Sequence, residues 1–332
     1  MSSIASSPFV LGFGSPLIDH LARVRPEQIN EFGLIHGGMK LVGAAEVDAL
    51  KDRAQADRAA PGGSAANTCI ALAHLGGASA FGGVVGADEW GRFFSSELKR
   101  AGVVDHLIAH PAEATGRVLA CVQPDGERSF ATCLGAAIHL KAEDLQPAWF
   151  SGARFVYLEG YVIPNQGLVH RVVELARAAG AQVALDTASP NVVEEHRAAF
   201  LALLEDGVDV VFANAEEAFA LTGKKGAEAL DFFKKRQKTA VVKLGEEGSV
   251  AFHGTQAHRA SIQKVKAIDT TGAGDYYAAG FLHGALQDLP LATCMGLGSI
   301  ASRYVVQTWG AALSEETWAQ VRQETAALLK KK

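Results

Sequence analysis

The sequence predicts an α/β protein with a mostly parallel sheet, helices on both of its faces, and a second, smaller β-rich unit. Short β-branched and apolar runs alternate with longer segments of helical periodicity, the pattern of βαβ units. Runs such as VVFAN (210–214) and AVVKLG (240–245) are apolar on both faces, as strands covered on both sides require. Two stretches, about 17–60 and about 104–132, break the alternation.

In chain order, FVLGF (9–13) is a first buried strand. The first irregular stretch follows, ending in the glycine-rich turn at 61–67. A helix is expected over 68–75, a strand over 80–85 and an amphipathic helix over 89–101. In the second irregular stretch, VLACVQPDGERSFAT (118–132) reads as a hairpin, because Pro124-Asp125-Gly126 supplies turn chemistry between two apolar runs. These two insertions are expected to form a discontinuous lid on a single domain spanning 1–332. Strands at 155–158, 182–186, 208–212, 239–244 and 249–252 then alternate with helices at 168–179, 215–221 and 227–235. From 275 onward the periodicity is helical, over 275–286, 291–306 and 314–329. Lys330, Lys331 and Lys332 suit a helix C-terminus by dipole sign, or form a solvated end.

Composition narrows the class. The 332 residues suffice for one large or two modest domains at about 150 residues each. With 48% hydrophobic and 20% charged residues the chain is neither disordered nor fibrous. A net charge of −5 argues against nucleic acid as a partner. Cys69, Cys121, Cys133 and Cys294 form no C-x-x-C pair, so buried free thiols are expected. MSSIASSPFVLGFG has no positively charged region and only a short apolar run, which argues against a signal peptide; a cytoplasmic location is expected. Residues 59–87 lack Asp, Glu, Lys and Arg, but Pro61, Asn67 and seven glycines break them into turns, so no membrane span is expected.

Several familiar sites fail on spacing. No G-x-x-x-x-G-K-[ST] occurs. Gly12-Phe13-Gly14 follows a strand, but Leu17 stands where a dinucleotide fingerprint needs its third glycine. Gly62-Gly63-Ser64 lacks the closing glycine of a nucleophile elbow, having Ala66 there.

Two segments carry chemistry. Asp269-Thr270-Thr271-Gly272-Ala273-Gly274-Asp275 leads into an apolar helical run. Free amides of a helix's first turn form an anion site, and glycine lets an anion approach. Asp275 alone reads equally as a helix-start acid. Beside a bound phosphoryl group it also suits removal of an alcohol proton. The second segment is Pro61-Gly62-Gly63-Ser64-Ala65-Ala66-Asn67. There Asn67 offers donor and acceptor to hydroxyls, or caps the following helix.

In that order and about two hundred residues apart, GGSAAN and DTTGAGD resemble the paired signatures of the PfkB family of carbohydrate and nucleoside kinases. The resemblance covers essentially the whole chain. It implies a three-layer α/β/α ribokinase-like fold, ATP carried with Mg²⁺, and a possible monovalent-cation requirement. By position, Asp275 is the implied general base, and Gly272, Ala273 and Gly274 the implied anion hole. Gly62, Gly63, Asn67 and Asp19 are the implied acceptor-binding residues. Asn214 and Glu217 match the family's N-x-x-E motif, tied to the magnesium network through water. Lys243 and Gly245 match the element bordering the nucleotide, and Arg128 the lid arginine directed at phosphate. Segments 255–266 and 291–310 correspond to the nucleotide walls.

The opening Gly14-Ser15-Pro16-Leu17-Ile18-Asp19 resembles that of adenosine kinases, as do 129–137 and 157–161. A nucleoside with its 5′-hydroxyl as acceptor is therefore expected. Phe130, Leu134 and Tyr161 are candidates for a wall against the base, or for core. A sugar kinase of the ribose or fructose type is the alternative, and a non-catalytic nucleoside- or sugar-binding regulator the second. Tyr276-Tyr277 departs from the family pattern, either altering the nucleotide side or packing into the core; Ser15 replaces the usual Asn. A monomer or homodimer is expected.

Overall fold

The computed structural model describes residues 7–225, 227–235, 239–254 and 256–330. Lys331 and Lys332 of the basic tail, and Thr255 at the start of one expected nucleotide wall, lie outside them. In chain order the strands are β1 (Phe9–Phe13), β2 (Leu17–Arg23), β3 (Met39–Leu41), β4 (Arg58–Gly62), β5 (Ala78–Gly86), β6 (Val104–His110), β7 (Gly116–Val122) and β8 (Arg128–Cys133). They continue as β9 (Ala153–Glu159), β10 (Gln182–Asp186), β11 (Val210–Asn214), β12 (Thr239–Lys243), β13 (Ser249–His253) and β14 (Gln256–Ala260).

The large sheet runs β14-β13-β12-β11-β10-β9-β1-β5-β6. From β12 to β6 every neighbouring pair is parallel; β13 and β14 add an antiparallel edge. Alternation places Leu11, Phe13, Val156 and Leu158 in one core. It places Val10, Phe155 and Tyr157 in the other, with the helices Ser64–His74, Ala273–Ala285 and Leu291–Val305. A sheet buried on both faces explains the uninterrupted apolar runs.

The small sheet runs β3-β8-β7-β2-β4. Its two insertions are less purely β than expected. The helices Pro26–Glu31 and Ala44–Ala54 cover one face, where Ile29, Val47, Leu50, Leu119 and Cys121 form a separate core. The other face carries Leu17, Asp19, Val118 and Phe130, matched by register across β2, β7 and β8.

Three boundaries differ from expectation for identifiable reasons. Residues 104–110, grouped with the second insertion, pair in parallel with β5 as the edge of the large sheet. The strand expected over 208–212 begins at Val210, because Asp209 is spent on Val183: its carboxylate accepts the Val183 N–H at 3.0 Å and its own N–H donates to the Val183 carbonyl at 2.8 Å. The helix expected from 68 starts at Ser64. Gly63, at φ +96°, turns the chain, and its carbonyl accepts the Asn67 N–H at 2.9 Å, so Asn67 lies within the first turn rather than capping it.

All four cysteines are buried, and none forms a disulfide among the described residues. Among the described residues, no helix is long and apolar enough to cross a membrane.

Candidate active site

The site is assembled where the C-terminal ends of the parallel strands meet the bare face of the small sheet. Its floor is the start of helix Ala273–Ala285. Gly272 takes φ +75° there, and a Cβ on it would press on Ala311 at 2.9 Å, so glycine is required twice over. The Tyr276 N–H closes the turn on the Gly272 carbonyl at 2.8 Å, and the Ala273 N–H makes a long 3.2 Å bond to Thr270. The amides of Gly274 and Asp275 head the helix, where intrahelical partners are absent. The Lys243 ammonium stands directly beside them: a Cβ on Gly274 would lie 2.9 Å from Nζ. Lys243 thus belongs to the amide cup itself. Its Nζ donates to Asp186 Oδ2 at 2.9 Å. Burial works against this ammonium, but Asp186 and Glu217 outweigh it and push it up to about 12.

Asp275 is half-buried and held from one side. Ser64 Oγ donates to Oδ1 at 2.7 Å and Asn67 Nδ2 to Oδ2 at 2.9 Å, both from helix Ser64–His74. Burial pushes the carboxyl up to about 6, against the opposing pull of those two hydrogen bonds. Across from it, Asp19 lies beside Gly62, whose Cα leaves only enough room for the carboxylate. Burial, with Asp275 and then Asp269, pushes Asp19 up to about 7. Asp19 makes no hydrogen bond among the described residues. Gly63 completes this wall, because a Cβ there would strike the Ser15 carbonyl.

The structure therefore brings Asp19, Gly62, Gly63, Asn67 and Asp275 together, with Gly272, Ala273, Gly274 and Lys243 adjoining. Arg128 reaches the same loop from the small sheet: its Nη1 donates to Thr271 Oγ1 at 3.1 Å, and its Nε lies 3.8 Å from Asp269. Asn214 and Glu217 form a capping box, and Glu217 is filled by three donors: the Asn214 N–H and Nδ2, and Thr187 Oγ1, at 2.7–2.8 Å. Among the described residues no cluster of three His, Cys, Asp or Glu side chains suits a metal ion. Gly245, at φ +58°, opens the turn after β12 with nothing near its Cα.

Phe130 and Leu134 pack with Leu17, Val118 and Ala137 in a small apolar cluster on the Asp19 face. Tyr161 is not part of it and is 38% exposed. Tyr276 and Tyr277 are core. Tyr276 stacks on Trp318 at 5.4 Å, Trp318 stacks on His74 at 4.7 Å, and the Tyr277 hydroxyl pairs with Ser249 Oγ at 2.7 Å. A groove of about 620 Å³ lined by Phe219, Leu230, Val242 and Leu244 holds none of these site residues.

Sequence reasoning passed over four contributors. Ser64 was read only as part of a turn. Asp186 and Glu159 are acids closing otherwise apolar strands, QVALD and ARFVYLE, and that solitary acid was the available signal. Asp269 is fully buried and shapes the loop before helix Ala273–Ala285 by accepting the N–H and Oγ1 of Thr271 and the N–H of Gly310.

Comparison with known proteins adds three kinds of likeness. Residues 32–318 match the pfkB family carbohydrate kinase family. The structure superposes on an adenosine kinase from Sinorhizobium meliloti with a TM-score of 0.91 and 33% identity, covering 96% of this chain and 100% of that one. A probable sugar kinase from Rhizobium etli CFN 42 gives 0.91 and 31%, covering 96% and 98%. By sequence, a 5-dehydro-2-deoxygluconokinase of Geobacillus kaustophilus (strain HTA426) is 28% identical over 279 residues, 79% of this chain and 83% of the relative.

Proposed function

The chain belongs to the pfkB family of carbohydrate kinases and is a phosphotransferase acting on an alcohol group, and from this premise we propose that its acceptor is a neutral nucleoside of the adenosine kind, phosphorylated at the 5′-hydroxyl. One observation carries the choice. Asp19 is a carboxylate without a hydrogen-bond partner among the described residues, and it shares its sheet face with the apolar cluster of Leu17, Val118, Phe130 and Leu134. A ribose edge supplies two hydroxyl donors to the first, and an attached base covers the second. An acidic acceptor of the gluconate type is disfavoured, because Asp19, desolvated by burial, already faces the fields of Asp275 and Asp269.

The residues fit ATP as co-substrate. The amides of Gly272, Ala273 and Gly274 with the Lys243 ammonium suit a phosphate tail, since Gly274 carries no side chain that would press on that ammonium. Mg²⁺ bound to those phosphates supplies charge neutralisation. Glu217, filled by its own donors, would hold it only through water, together with Asn214. Asp275 accepts the acceptor's hydroxyl proton as that oxygen attacks the γ-phosphorus, and the bond to the bridging oxygen of ADP breaks. The small sheet acts as a lid that excludes water and carries Arg128 from Thr271 to the transferring group. We place the enzyme in the cytoplasm, as a monomer or homodimer.

An ADP-release screen tests the acceptor. Adenosine is expected to exceed ribose and fructose in kcat/KM by about 10²-fold, since burying a base-sized apolar face contributes about 3 kcal/mol. Faster turnover of ribose or fructose overturns the nucleoside reading in favour of a sugar kinase. Thermal stabilisation by adenosine with no ADP released from any acceptor identifies a non-catalytic binder.

A further inference from the structure

We propose that Glu159 is a positioning residue: it fastens to the large sheet two of the points where the chain crosses to the small sheet, and so fixes the spacing between Asp19 and Asp275. The first crossing lies between the end of β1 at Phe13 and the start of β2 at Leu17; the second lies between the end of β4 at Gly62 and the helix starting at Ser64. Glu159 ends β9, whose Leu158 is in register with Phe13. Its Oε1 accepts the Ser15 N–H at 2.8 Å, in the first crossing. Its Oε2 accepts the Ala65 N–H at 2.8 Å, in the first turn of the helix that receives the second.

The fit is close. Glu159 is wholly buried, and a Cβ on Gly14 would collide with its carboxylate. The crossings also abut each other, at Gly63 and the Ser15 carbonyl. Ser15 stands four residues before Asp19, and Ala65 lies between Ser64 and Asn67, the two donors that hold Asp275. One side chain therefore bears on both halves of the reaction centre without lying between them.

The chemistry requires a carboxylate. Both backbone partners are N–H donors, and the Ser15 side chain is a further hydrogen-bond partner, so both side-chain oxygens must accept; an amide of the same shape offers one acceptor and turns an NH₂ toward the other backbone donor. No ion pair compensates Glu159 among the described residues, and burial pushes its carboxyl up to about 7. An apolar side chain would fill the space without that burden but would leave two buried amides unpaired.

The test uses Glu159→Gln and Glu159→Asp in the full chain, each first checked for a cooperative melt. In Gln, amide hydrogen exchange in the ligand-free protein is expected to quicken in peptides covering 12–18 and 63–68, and not in one covering 182–186. ADP release should fall about 10²-fold in kcat, the effect of a misplacement near 1 Å, with KM for ATP unchanged. Asp keeps both oxygens on a stem one methylene shorter and should protect one crossing only; it is read in place of Gln if Gln fails to melt cooperatively. A folded variant with wild-type exchange at both crossings, or with wild-type kcat and only a lowered melting temperature, overturns the proposal. The kcat arm rests on the phosphotransferase reading above, and the exchange arm does not. Wild-type protein that releases no ADP therefore counts against that reading, while exchange at Ser15 and Ala65 still decides the fastening.

Discussion

Asp275→Asn lowers turnover by about 10²–10⁴-fold, the usual worth of a positioned general base, while ATP continues to stabilise the protein against heat. The split follows from the geometry. Lys243 is held by Asp186, and the Asp275 side chain by Ser64 and Asn67, so the nucleotide keeps its anchor when that side chain is exchanged. Asn presents an amide where a proton must be received. The pH dependence has a definite sign: with the carboxyl near 6, the wild-type rate climbs as pH rises through that value and then levels, and the Asn variant loses this limb. Ser64→Ala removes one of two donors that favour the ionised form, so its acid limb moves to higher pH. Steady-state ADP release from pH 5 to 8, beside a nucleotide-dependent melt, reads all of this. Unchanged turnover in Asp275→Asn removes the general-base role.

Asp19→Asn raises the acceptor KM by about 10²-fold, since hydrogen bonds to a charged group are worth about 1.5–3 kcal/mol each. It also raises the melting temperature at pH 8. The Asp19 carboxyl sits near 7 in the folded protein against an ordinary 3.8. A carboxyl raised on folding contributes stability below its unfolded value and loses that contribution as pH climbs through the folded one. At pH 8 the ionised, unpartnered group is therefore a liability that Asn relieves. The gain should be absent near pH 4 and complete above about 7, and melts across that range measure it. A variant that is less stable at pH 8, or that keeps the wild-type KM, shows that Asp19 is not the open hydroxyl-binding acid.

Much of this was legible because it depends on local pattern. Seven of the nine strands of the large sheet and the three last helices followed from periodicity, while β14 went unread, and the loop at 269–275 announced a helix start by its glycines and acid. What escaped was non-local. Nothing in GGSAAN says that Ser64 and Asn67 point at a carboxylate about two hundred residues later. Val104–His110 resembled an insertion strand because a half-exposed edge lacks the all-apolar signature of its neighbours. Lys243, read as a border of the nucleotide, stands over Gly274 only because β12 ends beside the helix start. Glu159 was visible as an anomaly in an apolar strand, but its two backbone partners belong to segments brought together by the fold alone.

The stack of His74, Trp318 and Tyr276 gives the last helix a reach that its distance from both glycine motifs conceals. It rivets the far end of the helix bearing Ser64 and Asn67 to the residue beside Asp275, through a tryptophan supplied by Glu315–Leu329. A shortened relative that kept both motifs but lost this helix would pass every inspection by signature, yet its base and the donors that aim it would have come adrift from one another.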